Sequence, residues 1–397
     1  MQIELNNVWT LIVALLTIGL GRRINARLVW LERGNIPPAV TAGLLLSLVL
    51  AGLRAQGWLD VKFSMAVRDV LLLVFFATLG FGAHLGRLAS AGTAALVVCL
   101  GVVVVVVAQN LVGVAMARSF GNPVALGPFL GSIAYVGGHG TAVAWTNTPE
   151  AAGLEGAFEL GIGSATLGLV LGGLVAGPVS VWLGTRDRSQ ARHATVFEAG
   201  TDQTVEREPA FSSDRWLPCL LWVVLCLGLG PVLQKWIGGF GLQVPTFLAV
   251  LITGVVITNV ADAVKRPLDT EVTDLVGTIA LRIFLAIAML ALDWVALIDH
   301  IPLLFTAAVA QVAVTVAVGV GVIYLLFGRG REGAAACGGF IGFCLGAMPV
   351  GLAVMRQLNA RIGETPRALL AITLAASLFT DTANALVITA FFRWLAG

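Results

Sequence analysis

Apolar residues run in stretches of about twenty along the whole chain. The short alternating segments of a membrane β-barrel are absent. The pattern predicts an all-α membrane protein with ten spans. In the first half they fall near 8–20, 36–53, 69–86, 93–117 and 160–183. In the second they fall near 216–237, 244–261, 275–297, 302–327 and 366–395. Between the fourth and fifth span of each half the pattern fails in the same way. Glycine-rich breaks interrupt it at Gly127–Trp145 (GPFLGSIAYVGGHGTAVAW) and Cys337–Met355 (CGGFIGFCLGAMPVGLAVM). Gly131 corresponds to Gly339 and Gly138 to Gly346, each 208 residues on. Glycine releases backbone from the helix, and bare backbone in lipid survives only where it lines a protein cavity. Two such breaks in matching halves point to a transporter's binding site.

The same offset relates IPPAVTAGLL (Ile36–Leu45) to VPTFLAVLITGV (Val244–Val255), and AQN at 108–110 resembles AQV at 310–312. The chain therefore divides into a first repeat, 1–183, with a re-entrant hairpin near 127–146, and a second, 216–397, with a hairpin near 334–356. A charged segment, 184–215, joins them as a solvated linker. Five spans per half would turn the second repeat upside down. The positive-inside rule tests this. With the N-terminus outside, 17 Lys and Arg fall on the cytoplasmic side, six fall outside, and Arg282 lies within a span. That bias favours both termini outside, in the periplasm, and hairpins entering from opposite faces. The first apolar run has its arginines (Arg22, Arg23, Arg27) after it, the reverse of a cleaved signal peptide, and reads as a retained span.

Composition agrees: 58% of residues are hydrophobic and 12% charged, too apolar for a soluble domain. A net charge of +2 gives no reason to expect nucleic acid. The five cysteines lie in apolar stretches without metal-ligand or disulfide-framework spacing and read as small core residues.

Few residues carry chemistry. In GGHGT, Gly137, Gly138 and Gly140 around His139 let backbone N–H groups converge on one point, an arrangement that attracts a carboxylate. Ser132 and Thr141 add hydroxyls. The alternative is that these glycines only allow close packing. His139 could hold the hairpin by a hydrogen bond or titrate near neutral pH. In LGAMP, Pro349 frees a carbonyl one turn earlier. Carbonyls around Gly346, Ala347 and Met348 suit a hard cation such as sodium. Asp381 lies about fifteen residues into the last span, near mid-bilayer at 1.5 Å per residue. With Thr380, Thr382 and Asn384 it could ligate a cation or a substrate ammonium. Arg282 could snorkel, neutralise an anionic substrate or pair with Asp381. Gln109, Asn110 and Gln311 are mid-span amides that suit helix–helix bonding. No metalloprotease, phosphate-loop or nucleophile-elbow motif stands out, so neither an enzyme nor a cofactor is expected. A passive channel remains the main alternative to alternating access.

These residues resemble the bacterial sodium/glutamate symporter family, related to sodium/citrate carriers. The pieces that match are IPPAVTAGLL, VRDVLLLVFFATLG, VAQN, SIAYVGGHGTAVAW, TLGLVLGGLVAGPV, VPTF, GFCLGAMPVGLAVM and FTDTANALVI. The resemblance implies two inverted five-span repeats and a homodimer in the inner membrane, surrounded by lipid. It implies sodium-coupled uptake of L-glutamate by an elevator-like movement. Arg282 stands where a small polar residue is expected in glutamate-transporting relatives. An extra positive charge there would suit another dicarboxylate or amino-acid anion.

Overall fold

A computed structural model describes residues 2–28, 36–86, 92–151, 153–186, 213–239, 244–346, 348–363 and 365–396. Most of the linker expected at 184–215, and Ala347 in the second break, lie outside the described residues. The spanning helices of the first half are α1 (Asn7–Arg27), α2 (Pro38–Ala55), α3 (Met65–Gly82), α4 (Gly92–Ser119) and α7 (Ala157–Arg186). Two short helices, α5 (Ser132–Tyr135) and α6 (Gly138–Thr146), lie in the first break. The second half holds α8 (Ser213–Gly238), α9 (Thr246–Ala263), α10 (Thr270–Leu290), a short α11 (Trp294–Ile298) and α12 (Ile301–Val318). It continues through α13 (Gly330–Gly346), α14 (Met348–Ile362), α15 (Pro366–Leu378) and α16 (Thr380–Ala396).

Among the described residues nine helices are long and apolar enough to cross a membrane, and the pair α15–α16, bent by 50°, brings the number to ten when counted as one span. Local sequence explains their ends. Asn6 caps α1 by accepting from Trp9 N at 3.0 Å. Prolines at the first helical positions start α2, α12 and α15, where a missing N–H costs nothing. Six consecutive valines, Val102–Val107, lie inside α4 although β-branched residues favour strands in water. In an apolar medium the helix wins because it satisfies every backbone group within one segment. The all-helical expectation needs one small addition: Gln2–Glu4 and Asp60–Lys62 pair as two short parallel strands, β1 and β2.

The helices pack as two groups. In one, α2 lies against α1 and α10, while α3 lies against α9 and α10 and α8 packs on α9. Glycines set the α3–α9 crossing: a β-carbon at Gly80 would strike the carbonyl of Leu251, and one at Gly254 would sit 2.7 Å from that of Ala77. At the C-terminal end of α3, Thr258 Oγ1 donates to Phe81 O (2.9 Å) and Asn259 Nδ2 to Ala83 O (2.8 Å). His84 pairs there with Asp262. The second group sets α4 beside α12, lays the first break along α4, and packs α13 against α7 and α14. Contacts between the groups include those of α3 with α15, α9 with α16 and α6 with α10.

Candidate functional site

The first break is a 3-10 turn, Val124–Leu130, followed by α5 and α6. Two local features shape it. At Gly131 a β-carbon would lie 2.7 Å from Asn110 Oδ1 and 2.8 Å from Gln109 O, so only glycine lets the chain approach α4 this closely. At Gly138 the backbone turns with φ +69°, a left-handed conformation that glycine adopts without strain. The turn falls after Gly137 and starts α6 at GHGT. The first amides of α6 thus have no partner one turn before them.

Ser132 is fully buried and its polar groups are engaged. Its N–H and its hydroxyl each donate to Asn110 Oδ1 at 3.0 Å. Its carbonyl accepts from Asn384 Nδ2 at 3.1 Å. His139 is buried, with Nε2 3.0 Å from Thr166 Oγ1. Thr166 spends its hydroxyl proton on Ile162 O at 2.9 Å. The Thr166 oxygen can therefore only accept, and the imidazole proton sits on Nε2. Thr141 packs its side chain against Gly137, and Gly140 lies under the rings of Phe75 and Phe284.

The last span is bent by 50° between α15 and α16. Thr380 Oγ1 donates to Ala375 O at 2.9 Å, using the hydroxyl on a carbonyl near the bend. Asp381 follows immediately, in the first turn of α16. It makes no hydrogen bond or ion pair with any described residue. It lines a small cleft with Leu79 and Ala83 of α3 and its C-terminal end, Leu251 and Val255 of α9, and Ser377, Leu378 and Thr382. One turn on, Asn384 joins Asp381's helix to the first break through Ser132, and its Oδ1 remains unpartnered and buried.

In the second glycine-rich segment α13 ends at Gly346 and α14 begins at Met348, and the two pack on each other with Gly342 against Gly351. Gly346 approaches the backbone of Leu169 on α7. The carbonyl of Cys344, two residues earlier, accepts from Gln109 Nε2 at 3.0 Å. Val136 of the first break, Cys344 and Met348 of the second, and Phe379 at the bend share one apolar cluster. The two glycine-rich segments and the bend thus border one apolar cluster.

Arg282 is not brought there. It is exposed on α10 and makes no ion pair with Asp381. Phe284, two residues on and about 200° around the helix, is the residue that faces Gly140. Arg282 thus points away from the first break.

The bend before Asp381 was not anticipated from the apolar pattern. Its signal is the run SLFTDTAN, whose Ser, Thr, Asp and Asn side chains compete with the helix for backbone groups. The engagement of Ser132 by Asn110 was equally hidden, because nothing in the sequence tells which helix a mid-span amide faces.

The chain matches the family model described as "Sodium/glutamate symporter" over residues 3–364. It is 32% identical to the sodium/glutamate symporter of Escherichia coli (strain K12), with 97% of each chain covered. It is 30% identical to that of Haemophilus influenzae, with 96% of each covered. These relatives are transporters rather than enzymes.

Proposed function

The chain belongs to the sodium/glutamate symporter family, and on that footing we propose that it carries L-glutamate into the cell with sodium by alternating access. The observation that carries this reading is a carboxylate, Asp381, at the bend of the last span, with no partner among the described residues and one turn from Asn384, which bonds the first break. A charged side chain within a span needs a compensating ligand. A sodium ion or the α-ammonium of an amino acid supplies one. Asn384 Oδ1, unspent and one turn away, adds an oxygen to the same surroundings. The free amides at the start of α6, Gly138 to Gly140, with Gly137 and Thr141 beside them, suit the substrate carboxylates. His139 braces that turn through Thr166. Ser132 contributes through its backbone, held by Asn110 and Asn384. Carbonyls about Gly346, Ala347 and Met348, with Asp381 and Thr380 at the bend, are the proposed surroundings of sodium.

Several features support the finer parts of the reading. The second span of each half packs against the third span of the other, α2 on α10 and α9 on α3, as expected of two inverted repeats. The two helix groups, with the Asp381 cleft between α3, α9 and the bend, suit one body sliding against another in an elevator-like movement. An inner-membrane homodimer with both termini in the periplasm completes the proposal, on the family resemblance and the distribution of basic residues. Arg282, exposed and turned from the first break, gives no reason to prefer a more anionic substrate. One sodium per monoanionic glutamate moves no net charge. A second would add about 2.3 kcal/mol of driving force per 100 mV.

The test is Asp381→Ala in proteoliposomes with labelled glutamate and an inward sodium gradient. Accumulation is expected to vanish while the protein still inserts. Retained accumulation would make Asp381 a structural residue and remove the observation on which the reading stands.

A further inference from the structure

Gln109 and Gln311 sit in the middle of α4 and α12, and both are fully buried. Each amide spends both of its N–H donors. Gln109 Nε2 donates to Thr315 Oγ1 at 2.9 Å and to Cys344 O at 3.0 Å. Gln311 Nε2 donates to Gln109 O and to Leu130 O, both at 2.8 Å. The partners are crossed. The glutamine of the first half holds the break of the second, two residues before Gly346. The glutamine of the second half holds the break of the first, two residues before Ser132. The bond from Gln311 to Gln109 O closes the path between them.

We propose that Gln109 and Gln311 are positioning residues, a crossed amide brace that makes the two breaks respond as one unit, so that an ion bound at one is felt at the other. The proposal deepens the symport reading and rests on it for its ligands. Leu130 ends the 3-10 turn and Cys344 lies in the last turn of α13, positions whose carbonyls have no partner further along their own helix and need outside donors. Leu130 O and Cys344 O find those donors on two glutamines that are themselves joined, Gln311 Nε2 to the backbone carbonyl of Gln109. Moving either break changes the bond that fixes the other. Simple helix glue would use any acceptor on the facing helix. Here two of the four donors do so, on Thr315 Oγ1 and Gln109 O, while the other two each reach a break, and the Thr315 bond offers an internal control. Coupling between sites needs an element with contacts to both, and this pair is bonded to both breaks directly.

The experiment uses the full chain in detergent micelles or nanodiscs. Glutamate affinity is measured with and without sodium for the wild type, Gln311→Met, Gln109→Met and Thr315→Val. Couplings between sites typically amount to about 5–150-fold. The methionine variants keep the side-chain volume but remove the donors, and each is expected to bring the ratio of the two affinities close to one. Thr315→Val loses a buried bond without cutting the brace and is expected to keep the wild-type ratio. Either methionine variant keeping that ratio overturns the proposal. Hydrogen exchange of the ligand-free protein gives a readout independent of glutamate. Gln311→Met is expected to raise exchange in both 127–146 and 337–355, and Thr315→Val in neither. Increased exchange confined to the first break overturns the brace even if the variant binds too weakly to titrate. A wild type whose glutamate affinity ignores sodium would instead count against the symport reading, leaving exchange to decide the brace.

Discussion

Replacing Asn110 by alanine tests whether α4 holds the first break in place. Asn110 Oδ1 accepts from both the amide and the hydroxyl of Ser132, each at 3.0 Å, and all three groups are buried. Alanine leaves two donors to find other partners. A buried unsatisfied donor costs roughly 1–3 kcal/mol. The Ser132 hydroxyl can rotate toward another acceptor, whereas its backbone amide cannot. Against this, Asn110 Nδ2 is itself buried without a partner in the wild type, so its removal returns part of the loss. The net expectation is a destabilisation of about 1–3 kcal/mol, concentrated at Gly131–Ser132. Because Ser132 O also anchors Asn384, the displacement reaches the helix of Asp381. Thermal unfolding in detergent with and without glutamate separates the two effects. The variant should melt earlier, and glutamate affinity should fall by at most about 150-fold, the limit reached when all of that energy is lost in the bound state alone. A variant with wild-type melting and wild-type affinity would refute the claim that this bond pair positions the break.

Two further outcomes follow from the geometry. Arg282→Ser should shift the preference between glutamate and a dicarboxylate by less than about tenfold, or 1.4 kcal/mol, in competition uptake. A larger shift would mean that Arg282 reaches substrate in another state of the transport cycle. Arg215 holds the Asp269 carboxyl below the usual carboxylate range, chiefly through its hydrogen bonds at 2.7 and 3.0 Å. The folded value is the lower one. The contribution of this clasp between α8 and the start of α10 is therefore complete above the unfolded value near 3.9. It is lost as pH falls through the folded value. Melting curves taken from pH 6 downward should show Arg215→Gln losing less stability on acidification than the wild type; equal losses would remove the clasp as a cause.

The apolar runs made the spans legible because length and hydrophobicity alone decide whether a helix crosses lipid. The first break was legible for the same reason in reverse, since GGHG interrupts a run that otherwise continues. The bend at Phe379 was not. No glycine or proline marks it, and its cause is a cluster of short polar side chains whose competition with the helix depends on what surrounds them. Arg282 and Ser132 show a second limit. Depth in a span can be counted along the chain, but direction around the helix depends on which face the neighbours cover. Depth alone grouped Arg282 with the site, and only packing turned it outward. Gln109 and Gln311 were visible as an echo between halves, yet their crossing over to opposite glycine-rich segments needed the three-dimensional path of both.

The central claim is that sodium entry drives glutamate uptake through this chain. Purified protein in sealed proteoliposomes, loaded without sodium and diluted into labelled glutamate with sodium outside, measures it directly. Accumulation above the external concentration is expected, and it should collapse when a sodium ionophore dissipates the gradient. Accumulation that persists with sodium equal on both sides and no membrane potential would contradict the claim.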